Sequence, residues 1–139
     1  MKKLLAMLGA LMMFIAVVGC SEKGDGDVLA SVEATDTTIE IVVEQLEGEM
    51  TLLEVMQTLQ EQGEFTFTTD ATGMIISING KENASDWSKY WALYISDTEL
   101  SEVAYGIEWK GQQLGFSNFG ANNLPAEEGG VYVWKYFGA

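Results

Sequence analysis

Between Thr51 and Asn79 the chain reads TLLEVMQTLQEQGEFTFTTDATGMIISIN, and this stretch limits the fold more than any other. Thr51-Leu52-Leu53-Glu54 has the spacing of a capping box, in which the threonine hydroxyl accepts from the N–H three residues on while the glutamate reaches back. Leu52, Val55, Met56 and Leu59 follow at i, i+3, i+4 and i+7, one face of a helix, with Gln57, Gln60 and Glu61 facing outward. Gly63 supplies a left-handed stop. Phe65 and Phe67 then alternate with Thr66 and Thr68. After a turn over residues 70–73, Met74, Ile76 and Ile78 alternate with Ile75, Ser77 and Asn79. That period of two predicts two short strands. A helix with one apolar face, followed by half-buried strands, has to bury that face against a sheet.

The flanking residues extend the sheet. In residues 37–45, Ile39, Ile41 and Val43 alternate with Thr38, Glu40 and Val42, a half-buried strand. Asn79-Gly80 is a turn signal, followed by a polar loop over residues 81–86. Residues 87–96, WSKYWALYIS, form the next strand, with Tyr90, Ala92 and Tyr94 on one face and Trp91, Leu93 and Ile95 on the other. An acidic loop (97–102), a short strand (104–109), a long loop or irregular hairpin (110–123) and a turn (125–130) come next. Residues 131–137 close the chain as a strand with Tyr132, Trp134 and Tyr136 on one face. The expected class is α+β, one helix packed on a mixed, mainly antiparallel sheet, with residues 37–139 as one domain.

The first 36 residues read differently. Lys2 and Lys3 precede an apolar run over residues 4–18 that ends in Val17-Val18-Gly19-Cys20. The run suits a signal-peptide core and falls short of the roughly 20 residues that span a bilayer. Its end resembles the lipobox of bacterial lipoproteins. That resemblance implies cleavage before Cys20 and acylation of its thiol, so that residues 1–19 are a signal peptide and the mature chain hangs from the extracytoplasmic face of the cell membrane. Each buried CH₂ of such an anchor contributes about 0.8 kcal/mol. Residues 20–36, beginning CSEKGDGD, are polar, acidic and glycine-bearing, and read as a flexible tether.

Charge and residue types narrow the chemistry. The formal charge is −14, and loss of Lys2 and Lys3 would take it to −16. Such a surface repels phosphate backbones, which argues against nucleic-acid partners. The chain has no histidine and a single cysteine, so it lacks the usual general base and any internal disulfide. The expectation is of a protein that is not an enzyme and holds no cofactor or metal. Acidic groups such as Asp97, Glu99 and Glu102 do not match the spaced calcium loop and read as solvated faces.

The pieces TLLEVMQTLQEQGEFTF, GMIISING, KYWALYIS, Tyr105-Gly106-Ile107 and EEGGVYVWKY, in that order, are similar to the C-terminal β-domain of transcobalamin and intrinsic factor, a domain type also found in bacterial surface lipoproteins. The resemblance spans residues 37–139 and implies a β-grasp-like fold. In the vitamin B12 carriers this domain lies over one face of the corrinoid, opposite a helical barrel that has no counterpart in this sequence. By that resemblance Ser77, Asn79, Tyr90 and Trp91 occupy positions that approach the ligand.

The residues themselves offer a wider aromatic set: Trp87, Tyr90, Trp91, Tyr94, Tyr105, Trp109, Phe116 and Phe119. Tyrosine and tryptophan give a rigid apolar face with a polar tip, which suits a flat ligand. Trp91 and one of Phe65 and Phe67 also fit a plain core role. Two functions follow as expectations. One is a membrane-anchored ligand-binding lipoprotein, with cobalamin as candidate ligand and an uptake transporter as partner. The other is a cell-surface structural or protein-interaction module with no small-molecule ligand. The first requires an exposed aromatic cleft; the second, a flat apolar patch.

Overall fold

The computed structural model describes residues 27–138. The expected signal peptide over residues 1–19, Cys20 and the first part of the expected tether lie outside these residues. The elements are β1 (Val28–Ala34), β2 (Thr38–Leu46), α1 (Leu52–Glu61), β3 (Phe67–Thr69), β4 (Ile75–Ile78), β5 (Lys81–Glu82), β6 (Tyr90–Ile95), β7 (Ser101–Trp109), β8 (Gln112–Ser117) and β9 (Val131–Phe137). This is an α+β fold with one helix on a mainly antiparallel sheet.

The strands form two sheets, a main one in the order β1-β2-β9-β6-β8-β7 and a small one in the order β3-β4-β5. All described pairings are antiparallel, so the mixed sheet expected from the sequence is corrected. Parallel neighbours need a long crossover. Helix α1, the one helix among the described residues, leads from β2 out to the small sheet and returns no strand parallel to its neighbour. Part of the segment expected as a flexible tether is a strand instead. Residues 28–34 pair with β2 along their length, and Val28, Ala30 and Val32 pack on the core. Small residues in an acidic context hid that alternation.

Helix α1 follows its sequence closely. Thr51 Oγ1 accepts from Glu54 N–H at 3.2 Å, and Glu54 Oε1 accepts from Thr51 N–H at 2.9 Å. Leu52, Val55, Met56 and Leu59 are buried against Ile39, Ile41, Val43, Leu93 and Trp134 in one core. At the far end Gly63, at φ +85°, closes a Schellman turn: its N–H donates to Gln60 O and that of Glu64 donates to Leu59 O. Gln60 differs from expectation. It is half-buried, and its Oε1 accepts from Phe67 N–H at 2.7 Å, fixing the small sheet to the helix.

The β7–β8 hairpin forms one edge of the main sheet and folds its tip over the sheet's outer face. Residues 110–123, expected as a loop or irregular hairpin, contain β8, which pairs with β7 through a tight turn at Lys110 and Gly111. The hairpin is sharply bent. Glu102 faces Phe116 and Ile107 faces Leu114, so residues 103–106 stand against Gly115 alone. The bend requires two bare backbones. A Cβ on Gly106 would drive into the Leu114 carbonyl, and one on Gly115 into the Ser101 hydroxyl. Leu114 joins Ala92, Tyr94 and Val133 in a second core, with Ile107 and Trp109 packed on it.

The hairpin tip is pinned across the sheet. Lys110 Nζ donates to Glu33 Oε1 and Glu40 Oε1, each at 2.8 Å, and Trp109 Nε1–H donates to Glu40 Oε2 at 2.9 Å. Burial pushes the Glu40 carboxyl up, but the hydrogen bonds from Lys110 and Trp109 and the charge of Lys110 outweigh it and hold it below its ordinary range. Glu33 and Glu40 together raise Lys110 above its own.

Two outcomes follow. Gly106→Ala should cost about 1–3 kcal/mol or more in chemical denaturation, because a backbone carbonyl has to give way. Glu40 binds protons less well folded than unfolded, so its contribution is present above its ordinary pKa of 4.5 and is lost as pH falls through the lower folded value. The thermal midpoint of Glu40→Gln should therefore fall less steeply than that of the wild type as pH drops below 4.5. Parallel curves would show that the carboxylate does not hold the hairpin.

Candidate functional site

Five of the aromatic residues marked in the sequence meet in space. Trp87, Tyr90, Trp91, Phe116 and Phe119 line an open cleft of about 340 Å³. Met74 and Ile75 at the start of β4 form one side, and residues 116–122 the other. Leu93 and Trp134, cross-strand neighbours on β6 and β9, complete the lining.

The cleft exists because β6 outruns one of its neighbours. Strand β9 pairs with β6 from Tyr90 to Ile95, whereas β8 pairs only at Tyr94 and Ile95. Beyond Ser117 the chain turns away. Ser117 Oγ donates to Phe119 O at 2.7 Å and accepts from Phe119 N–H at 3.2 Å, which fixes the Phe119 backbone. The following residues run to the helix start, where the N–H groups of Leu52 and Leu53 donate to Leu124 O and Ala121 O. Helix N-termini leave such donors without intrahelical partners, so this loop is held by a strong local demand.

The small sheet closes the other side through one side chain. Asn83 Oδ1 accepts from Trp91 N–H at 2.8 Å, while Asn83 Nδ2 donates to Ile75 O at 3.2 Å. Its amide acts as an extra peptide group between β4 and β6. Across the opening, Asn122 Nδ2 donates to Thr72 O at 2.9 Å and ties residues 118–122 to the β3–β4 turn. Side-chain amides thus brace both walls of the cleft.

Trp87 stands over the opening. It lies in a turn where its N–H donates to Ala84 O, and Asp86 Oδ1 accepts from Ser88 N–H and Oγ–H. Those two bonds lower the Asp86 carboxyl from its ordinary value. Trp87 adopts φ +63°, a left-handed conformation that costs a residue with a side chain about 1–3 kcal/mol. Trp87 is 54% exposed, and Phe116 and Phe119 are 40% and 45% exposed. Tyr90 stacks on Phe137 at 5.5 Å, and Trp91 packs at a tilt of 51° on Tyr136 at 4.9 Å with its Nε1–H donated to Lys81 O. Trp91 is thus a core residue that also forms cleft wall.

The remaining site residues fall elsewhere. Ser77 is buried in β4, where its hydroxyl pairs with that of Thr68 at 2.6 Å, and it lines a neighbouring groove of about 400 Å³. That groove shares Met74 and Trp87 with the cleft and adds Asp70 and Glu82. The Thr72 hydroxyl and the N–H groups of Met74 and Thr72 hold the Asp70 carboxyl low. Asn79 lines neither opening. At φ +51° it forms the β4–β5 turn with Gly80, and its Oδ1 accepts from Thr66 N–H. Tyr105 projects from the β7 bulge, 74% exposed, and Trp109 is bound to Glu40 at the hairpin tip. The sequence reading missed Met74, Trp134, Asn83 and Asn122. Nothing local to a strand or an asparagine-rich loop shows which distant segment it will brace.

Trp134 has one further property. It is 5% exposed, and its Nε1–H is buried with no hydrogen-bond partner among the described residues. An unpaired buried donor costs about 1–3 kcal/mol. Among the described residues no cluster of three or more metal-ligating side chains occurs. In the acidic segment near Asp97, the carboxylate accepts from the N–H groups of Glu99 and Leu100. Asp97 and Glu127 lie together; their mutual contact lowers the first and raises the second.

Asn83→Ala should release β4 from β6, with a loss of about 1–3 kcal/mol. The Trp91 amide should then exchange with solvent much faster than its neighbours in β6, read by hydrogen exchange. Uniform exchange along β6 would refute the amide bridge.

Comparison with protein-family models, with curated proteins and with solved structures found no match for this chain.

Proposed function

We propose that this chain is a membrane-anchored extracytoplasmic lipoprotein that binds a ligand through a flat apolar group, with a corrinoid as the candidate class and an uptake transporter as partner. The observation that supports this reading is the convergence of Trp87, Phe116 and Phe119, all substantially exposed, with Tyr90 and Trp91 on one cleft. Large aromatics left in water cost free energy unless something covers them. A volume of about 340 Å³ suits one ring system or side arm of a larger ligand. The anchor rests on the sequence alone: the basic start, the apolar run and Val17-Val18-Gly19-Cys20. Kinship with the β-grasp-like transcobalamin C-terminal domain is part of the same proposal. The lone helix on the sheet and the strand pair before it support that kinship, while the antiparallel β2–β9 pairing departs from a mixed sheet. The role is binding without catalysis, in keeping with a sequence that has no histidine.

A protein-interaction module is the second reading. Val103 and Tyr105 favour it, since both are exposed on the β7 bulge and neither lines the cleft.

The deciding experiment is a titration of the full-length protein in detergent with cobalamin and cobinamide, followed by tryptophan fluorescence and calorimetry. Saturable binding that Trp87→Ala weakens at least tenfold is the expected result. Absence of binding with both ligands would overturn the corrinoid assignment and leave the interaction module as the reading.

A further inference from the structure

The aromatic cleft continues into a second compartment. Met74 and Trp87 line both the cleft and the neighbouring groove of about 400 Å³, so the two openings meet at a pair of exposed residues. Ile76, also exposed, lines the groove beyond them. A ligand that covers Trp87 from the cleft therefore has apolar surface to follow into the groove.

The two compartments differ in charge. No Asp, Glu or Lys lines the cleft, whereas Asp70 and Glu82, both exposed, line the groove beside the Trp87 indole. No lysine lines the groove, and neither carboxylate is in an ion pair among the described residues. Lys110 is bound to Glu33 and Glu40, and Lys81 and Lys135 lie over the rings of Tyr136 and Phe137. Asp70 is also fixed in place. Its Oδ1 alone accepts from Thr72 N–H at 2.8 Å, Thr72 Oγ1–H at 2.6 Å and Met74 N–H at 3.1 Å. Carboxylates beside an exposed indole in a concave surface attract a cation twice over, through their charge and through the ring face. An anion would be repelled there, and a neutral group would gain nothing from the charge.

We propose that cleft and groove form one two-part site for an amphipathic cation: a flat apolar body lies in the cleft, and an ammonium group on a short arm passes Met74 and Trp87 to reach Asp70 and Glu82. The inference rests on the reading of the cleft as a ligand site and adds the charge of the arm that leaves it. It does not depend on the flat body being a corrinoid.

Two probes share a naphthalene body and an ethyl arm: 2-(1-naphthyl)ethylammonium and 2-(1-naphthyl)ethanol. Each is titrated by calorimetry into full-length protein in non-ionic detergent, with all variants under identical conditions so that partition into micelles cancels. Asp70→Asn keeps the oxygen that the β3–β4 turn uses, and Glu82→Gln changes an exposed side chain, so the double variant removes charge and leaves the turn. A control, Glu102→Gln with Glu108→Gln, removes the same charge from exposed positions that line neither opening. Wild type should bind the ammonium at least tenfold tighter than the alcohol, and salt should shrink that ratio. The groove double variant should lose the preference without weakening the alcohol, and the control should keep it. Trp87→Ala should weaken both probes. Equal binding of the two probes by wild type, weakened by Trp87→Ala, would overturn the cation inference and leave the cleft as a ligand site. A preference that survives in the groove double variant, or that the control loses equally, would also overturn it, because the acidic surface as a whole would then be reading the ammonium. Undiminished binding of the ammonium by Trp87→Ala would overturn the joining of the two compartments. Failure of both probes to bind up to their solubility would overturn the inference and the reading of the cleft together. If the groove double variant does not fold, Glu82→Gln alone decides: an at least threefold loss of preference upholds the proposal, and a smaller one overturns it.

Discussion

Strand β6 has to satisfy its backbone along both sides, and only one side is met by a strand throughout its length. Strand β9 runs beside all six residues, whereas β8 meets only the last two. Buried N–H and C=O groups demand partners, so the first half of β6 needs something other than a strand. Asn83 answers at Trp91 with a side-chain amide and hands the contact on to Ile75 in the small sheet. The two sheets are thereby joined with a gap between them, and that gap is the cleft. Extending β8 by two paired residues would close it.

The walls of the gap are stiff because each is tied to a group with its own unmet demand. The segment bearing Phe119 ends on the helix start, where carbonyls of Ala121 and Leu124 take two N–H groups that the helix cannot bond internally. Asn122 then reaches back to the β3–β4 turn. On the outer face the bent hairpin is held by Lys110 and Trp109 on one buried carboxylate. A buried carboxylate is costly unless paired and hydrogen-bonded, and here Glu40 is both. Pre-braced walls lower the ordering cost that any binding in this cleft would meet.

Much of this was legible from the residues. The capping box, the buried helix stripe, the Gly63 stop and the alternation in β2, β6 and β9 are local patterns, and local patterns are set by backbone geometry and burial within a few residues. The candidate cleft was legible in part. Trp87, Phe116 and Phe119 stood out because loops seldom bury large aromatics. Tyr105 and Trp109 looked alike for the same reason, yet the bulge turns one to solvent and the clamp takes the other. Strand β8 and the bent hairpin were obscured because QQLGFS has a glycine where alternation would show, and that glycine is what the bend requires.

By itself the sequence determined the helix, its buried face, most of the strands and the α+β class, since each follows from spacing along the chain. It also set the acidic surface and the supply of aromatic side chains. Only the tertiary structure decided that the strands split into two sheets, that all pairings run antiparallel, and which aromatics share a cleft. Those outcomes depend on where β8 stops beside β6, on one asparagine bridging two sheets, and on Trp134 meeting residues far away in the chain. Such contacts are settled by competition among distant partners for the same buried hydrogen bonds and apolar surface, and no periodicity along the chain records who wins.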